Sequence, residues 1–200
     1  MSNIVAIVGR PNVGKSTLFN RLLERREAIV DSTAGVTRDR HYGKSDWNGV
    51  DFTVIDTGGY DVGSDDIFEE EIRKQVQLAV DEATSIIFMV NVEEGLQDID
   101  HEIYNLLRKA NKPLYLVVNK VDSAKEMLAA TEFYQLGVEK YYTLSSATGS
   151  GTGELLDDLV ADFPTTEYKD PFEGLPKITI AGRPNVGKST LTNALLDDNR

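Results

Sequence analysis

Short apolar runs recur along the chain, each about the length of a buried strand, and helix-like segments separate them. This regular alternation predicts a parallel sheet with helices on both faces. Ile4–Val8 predicts a first strand, followed by a Gly-containing turn and a helix through about Arg25. Residues 28–41, with Gly35 among scattered polar residues, show no period and predict a loop. His41–Trp47 and Val50–Asp56 predict two strands joined at Asn48-Gly49, a pair suited to a tight hairpin turn. A Gly- and Asp-rich loop from Thr57 leads to a helix ending near Glu82. Three strand–helix units follow: Ser85–Val90 with a helix from about Asp98, Leu114–Val118 with a helix from about Ser123, and Tyr141–Leu144 with a helix from about Gly153. The expected fold is α/β, a mostly parallel six-stranded sheet with helices on both faces.

The pattern stops after Phe163. Pro164, Pro171, Gly174 and Pro176, interleaved with Thr and charged residues, predict an interdomain linker over 164–176. Residues 177–181 are again strand-like, and a string from the start of the chain returns. Gly9–Leu23 and Gly182–Leu196 are 15 residues each and differ only at Phe19/Thr192 and Arg21/Ala194. Such a repeat reads as a tandem duplication, with residues 1–163 one full domain and 177–200 the opening strand, loop and helix of the next. One strand and one helix bury too little apolar surface to offset their ordering entropy. The expectation is a longer native product, with 177–200 poorly ordered or packed against another chain.

The repeated string carries chemistry. Gly9-Arg-Pro-Asn-Val-Gly-Lys15-Ser16 matches G-x-x-x-x-G-K-[ST], the phosphate-binding loop. Its glycines allow close backbone approach, its N–H groups and the helix N-terminus attract anions, and Lys15 reaches the β- and γ-phosphates. Ser16 offers a hydroxyl to Mg²⁺; Gly9, Asn12, Val13, Gly14 and Thr17 complete the cradle. Asp56-Thr57-Gly58-Gly59 ends a strand, where Asp56 can hold Mg²⁺ through water and the Gly59 N–H can meet the γ-phosphate. Neither motif distinguishes ATP from GTP.

Asn119-Lys120-Val121-Asp122 makes that distinction. A carboxylate accepts two hydrogen bonds from N1–H and the exocyclic amine of guanine, while adenine leaves that buried acceptor unpaired. Asn119 and Lys120 brace the loop and cover the base. Ser145-Ser146-Ala147 after the last strand is expected to bring backbone N–H groups to the guanine oxygen. The second copy repeats only the phosphate loop, with Gly182, Asn185, Gly187, Lys188, Ser189 and Thr190, and is an incomplete site.

GxxxxGKS, a switch threonine, DTGG, NKVD and SSA in this order, with the tandem copy and the string Gly35-Val-Thr-Arg-Asp-Arg40, resemble the Der (EngA) family of tandem-domain bacterial ribosome-assembly GTPases. The resemblance covers 3–162 as a full P-loop GTPase domain and 177–200 as a fragment. It implies a GTP-hydrolysing switch with guanine nucleotide and Mg²⁺, acting in the cytoplasm in assembly of the large ribosomal subunit. It further implies that the ribosome is contacted through an absent C-terminal region with a KH-like domain. It makes Thr37 the switch threonine that binds Mg²⁺, with Thr33 the competing candidate in the same loop. The position after the DxxG glycine, a water-orienting Gln in Ras-like enzymes, is Tyr60 here. Resemblance offers a replacement: Asn12 marks members of this class that place K⁺ beside the β- and γ-phosphates, in the charge-stabilising role of an arginine finger. Tyr60 also supports a rival reading, a regulatory module that binds GTP or GDP with little hydrolysis.

Composition trims the alternatives. The chain carries 33 Asp and Glu against 21 Lys and Arg, a net charge of −12, so no direct grip on a phosphate backbone is expected. It has no cysteine, which excludes disulfides and thiolate metal sites and suits a reducing cytoplasm. No apolar run approaches the roughly 20 residues that cross a bilayer, and the N-terminus reads as the start of a fold, with no targeting signal. Arg38 and Arg40 read as solvated loop arginines, His41 and His101 as ordinary surface or strand-edge histidines, and the acidic run Asp61–Glu71 as the start of a helix.

Overall fold

The computed structural model describes residues 3–23, 41–57, 74 and 76–164. β1 (Ile4–Val8) leads through the phosphate loop into α1 (Lys15–Leu23); β2 (His41–Trp47) and β3 (Val50–Asp56) follow. Helical residues 76–82, here α2, precede β4 (Ser85–Asn91), α3 (Asp98–Arg108), β5 (Leu114–Asn119), α4 (Ala124–Ala129), a 3-10 segment (Ala130–Leu136), β6 (Tyr141–Thr143) and α5 (Thr152–Ala161). The strands form one sheet in the order β2-β3-β1-β4-β5-β6. Among the described strands only the β2–β3 pair is antiparallel.

Each central strand feeds two cores because successive side chains leave opposite faces of a pleated sheet. Ala6, Val8, Ile86, Phe88 and Val90 pack with α2, α3 and Phe133 on one face. Val5, Ile7, Ile87, Met89 and Val117 pack with α1 and α5 on the other. Every residue of β4 is buried, so Ser85–Asn91 reads in sequence as an apolar run with no alternation. Asn48 (φ 50°) and Gly49 (φ 81°) both take positive φ at the β2–β3 turn, as the Asn-Gly pair predicts.

The structure lengthens two of the expected strands by one residue each, to Asn91 and Asn119, because both asparagines are still in register across β4 and β5. The helix expected from Ser123 is two pieces. Ser123 and Glu126 form a reciprocal cap, Glu126 accepting from the N–H groups of Asp122 (2.7 Å) and Ser123 (2.8 Å). α4 then tightens into the 3-10 segment, which stops at Gly137 (φ 75°). The expected continuation of α1 to Arg25 lies outside the described residues.

The strand order reverses at β1, which lies between β3 and β4. In open α/β sheets, ligands bind beyond the carboxyl ends of strands at such a point. The registers Ile7–Asp56, Val8–Phe88 and Asn91–Asn119 bring the ends of β1, β3, β4 and β5 to this one edge.

Candidate functional site

The phosphate loop turns tightly between β1 and α1. Gly9 (φ 152°) and Gly14 (φ 100°) occupy backbone conformations that side chains rarely adopt. A Cβ on Gly9 would collide with the Met89 carbonyl oxygen, and one on Gly14 with the Asn119 amide. Asn12 is left-handed (φ 63°) and exposed, Val13 is buried, and Ser16 and Thr17 are exposed in the first turn of α1. Lys15 is buried, and its ammonium donates to the Arg10 carbonyl at 2.8 Å. Burial pulls its pKa down to about 8, against the attraction of Asp56. Placing a polyanion beside that ammonium satisfies a charge the protein otherwise holds at a cost, so the cradle fits a nucleotide polyphosphate.

Asp56, 1 % exposed, ends β3 beside β1, and the Thr57 hydroxyl donates to the Ile7 carbonyl at 2.9 Å. Asp56 and Ser16 therefore flank the loop from two sides with a carboxylate and a hydroxyl, the hard oxygen donors that Mg²⁺ takes. Thr37, Thr33, Arg38, Arg40, Gly58, Gly59, Tyr60 and the run 61–71 lie outside the described residues, as do Gly182, Asn185, Gly187, Lys188, Ser189 and Thr190. His41 pairs in register with Asp56 through the backbone. His101 lies in α3, and the described residues hold no cluster of His, Cys, Asp or Glu able to take a metal by itself.

Asn119 joins three loops. Its Nδ2 donates to the Val13 carbonyl in the phosphate loop (2.7 Å), and its Oδ1 accepts from the Ser146 N–H (2.8 Å) and hydroxyl (3.0 Å). Lys120 (φ 65°) pairs with Glu93 at 2.9 Å, which holds its stem along the loop. The Asp122 side chain is exposed, and its backbone N–H is fixed by Glu126. The N–H groups of Ser145-Ser146-Ala147 divide. Ser145 N–H bonds Ser150, and Ser146 N–H is taken by Asn119, so Ser146 braces the loop. Of the three, only the Ala147 N–H makes no hydrogen bond among the described residues.

Two arginines completing this site sit where the motifs specify no residue, Arg10 at an open position inside the phosphate loop and Arg21 in α1 beyond it. Arg10 donates from Nε to both carboxylate oxygens of Asp100 at 3.2 Å and from Nη1 to Glu94, locking the phosphate loop to the start of α3. Asp100 is wholly buried, and burial raises its pKa despite the Arg10 charge; the Arg10 hydrogen bond holds Glu94 below the ordinary carboxylate range. Arg21 of α1 donates from Nε to the Ser146 carbonyl at 2.5 Å and from Nη2 to the Ala147 carbonyl. The repeat offered the only sequence signal: Arg21 is one of the two positions where the copies differ.

A separate cavity of about 630 Å³ opens at the amino ends of β5 and β6, away from every motif. Two of its three cations are held by oxygen: Lys112 donates to the Val80 and Ala83 carbonyls at 2.5 and 2.6 Å, and Lys140 pairs with Glu154 and Asp158, while Arg108 lies over the Tyr104 ring.

Comparisons with known proteins agree with this geometry. The family described as 50S ribosome-binding GTPase matches residues 4–120 and 177–200. A curated protein from Christiangramia forsetii named GTPase Der is 62 % identical over 200 residues, all of this chain and 46 % of the relative. The chain thus spans about half the length of the curated relatives it matches. Among solved structures, a point variant of Era from Aquifex aeolicus bound to GDP·AlF4⁻ superposes with a TM-score of 0.66 at 31 % identity, over 89 % of this chain and 62 % of that one. Era in complex with MgGDPNP and nucleotides 1506–1542 of 16S ribosomal RNA gives 0.62 at 30 %, over 92 % and 60 %.

Proposed function

The chain belongs to the 50S ribosome-binding GTPase family, and from that premise we propose that it is a GTP-hydrolysing switch working in ribosome assembly, on the large subunit in particular. The observation that carries the reading is Asn119, which ties the phosphate loop to the loops expected to read guanine. Two solved relatives, one bound to GDP·AlF4⁻ and one to MgGDPNP, support guanine nucleotide and Mg²⁺ as the ligands.

Each residue has a role in this reading. Lys15 and the N–H groups from Gly9, Val13 and Gly14 through Thr17 hold the β- and γ-phosphates. Asp122 accepts from the guanine edge, Lys120 lies over the base, and Ala147 N–H meets its oxygen. Ser16, Thr37 and, through water, Asp56 would hold Mg²⁺, which supplies charge neutralisation at the phosphates when bound. Gly58 and Gly59 follow Asp56 and sense the γ-phosphate, with Thr57 fixed to β1. Phosphoryl transfer then needs positioning and charge stabilisation more than covalent help from the protein. Asn12, an exposed amide in the loop, carries the proposed K⁺ contact in place of the missing water-orienting glutamine. Residues 1–163 are proposed as the complete GTPase domain, 164–176 as linker and 177–200 as the start of a second. No described helix is long and apolar enough to cross a membrane, and a cytoplasmic setting is part of the proposal.

Single-turnover hydrolysis of GTP by the chain, in KCl and in NaCl with Mg²⁺, tests this. Phosphate release well above the buffer rate in KCl, and slower in NaCl, is expected. Tight GDP binding with no turnover in either salt would instead favour the regulatory-module reading that Tyr60 keeps open, and equal rates in the two salts would remove K⁺.

A further inference from the structure

We propose that Arg21 is a positioning residue for guanine recognition: from the phosphate-loop helix, it fixes the peptide plane whose N–H meets the purine 6-oxygen. The inference rests on the guanine-nucleotide reading above.

In a trans peptide the C=O and the following N–H point in opposite directions. The Ser146 carbonyl is drawn to Arg21 Nε at 2.5 Å, so the N–H of the same peptide, that of Ala147, is turned the other way. That N–H makes no hydrogen bond among the described residues, while both N–H groups before it, Ser145 and Ser146, are engaged. The Ala147 carbonyl is drawn to the same guanidinium, and Thr148 N–H bonds the Ser145 hydroxyl at 3.3 Å, so the peptide after it is held as well. Arg21 also lies close over Gly149 (φ 86°), where a Cβ would sit 2.9 Å from Nη1. Arg21 is thus seated by two carbonyls and a gap that only glycine leaves open. Its planar fork suits paired acceptors, which a lysine ammonium matches as a single point.

α1 begins at Lys15 and holds Arg21 two turns on, with Leu18 and Leu22 anchored in the core. One rigid helix therefore carries both the phosphate contact and the strap on the base loop. The second copy has Ala194 at this position, a residue with no guanidinium.

The test compares the 200-residue chain, Arg21→Ala and Arg21→Lys for affinity toward GDP, inosine diphosphate and the diphosphate of 2-aminopurine riboside. Inosine keeps the 6-oxygen and lacks the amine read by Asp122; 2-aminopurine lacks the 6-oxygen and, with it, the N1–H that Asp122 also reads. Arg21→Ala is expected to weaken GDP and inosine diphosphate about tenfold, the scale of one well-made hydrogen bond. Affinity for the 2-aminopurine nucleotide should stay within about twofold, and Arg21→Lys should fall between. Preference for GDP over the 2-aminopurine nucleotide then falls about tenfold, leaving the share owed to the N1–H at Asp122, while preference over inosine diphosphate holds. Equal weakening of all three nucleotides would mean a merely structural role and would overturn the proposal, as would unchanged preferences. A wild-type chain that binds none of them overturns the nucleotide reading itself, and that result shows in the wild-type arm alone.

Discussion

Lys15 is the residue whose chemistry is most exposed to test. Its ammonium is buried, and its pKa in the folded chain, about 8, lies below the ordinary lysine value of 10.5. Below about pH 8 it is charged in both folded and unfolded chains, and the folded state carries the full desolvation cost. Between the two values the unfolded chain binds more protons, so this group's contribution to stability rises with pH. Lys15→Met should therefore be more stable than the parent when both are unfolded by urea at pH 7 without nucleotide, by about 1–3 kcal/mol. The gain should shrink by pH 10, and GDP binding should be lost. A variant less stable than the parent at pH 7 would show that the ammonium is not desolvated. Asn119 behaves oppositely. Asn119→Ala leaves the Val13 carbonyl and the Ser146 donors without their partner, so a loss of about 2–3 kcal/mol is expected in the same measurement, together with lost nucleotide affinity.

At the scale of elements, what the sequence disclosed depends on whether the reason for a residue is local. The β2–β3 turn, the strand runs and the phosphate loop were legible because each is a contiguous string whose backbone geometry demands particular residues. The 3-10 segment was not, because no string marks where a helix tightens after α4. The loops are joined by contacts that no string spells out, two of them made by arginines that read as nothing special and one by the motif residue Asn119, expected to brace a loop but with no partner named. Arg10 reaches Asp100 across 90 positions, Asn119 reaches Val13 across 106, and Arg21 reaches Ser146 across 125. Only the folded sheet, which brings the strand ends to one edge, makes those pairs neighbours. The Arg10–Asp100 pair gives the next prediction. Removing Arg10 as Met leaves a wholly buried carboxylate without its counter-charge, which should cost about 3 kcal/mol at pH 8. Losing that charge raises the folded pKa of Asp100 above its already raised value. The penalty is then full above the new pKa and falls toward pH 4, as the carboxyl takes up a proton in the folded state. A penalty that does not change across that window would place the loss in packing alone.

For the whole molecule, charge sets what this chain can touch. Thirty-three acidic residues face 21 basic ones, and several basic side chains are already committed inside the fold. Arg10 is held by Asp100 and Glu94, Arg21 by two carbonyls, Lys112 by the end of α2, Lys120 by Glu93 and Lys140 by Glu154 and Asp158. Affinity for a nucleic-acid backbone comes from counterions released as Lys and Arg neutralise phosphates, and it grows steeply as salt falls. A chain of net charge −12, with these five cations engaged, repels a polyanion, and lowering salt strengthens that repulsion. The Era relative was solved in complex with a 16S ribosomal RNA segment. Titration of the 200-residue chain against a ribosomal RNA fragment should give no mobility shift at about 100 mM salt, and none on dilution to about 20 mM. The nucleotide site obeys a different rule, because its fixed N–H groups and Lys15 act at short range on one small anion: GDP should still bind under both conditions. RNA binding that strengthens on dilution would instead place an unengaged basic surface on the chain.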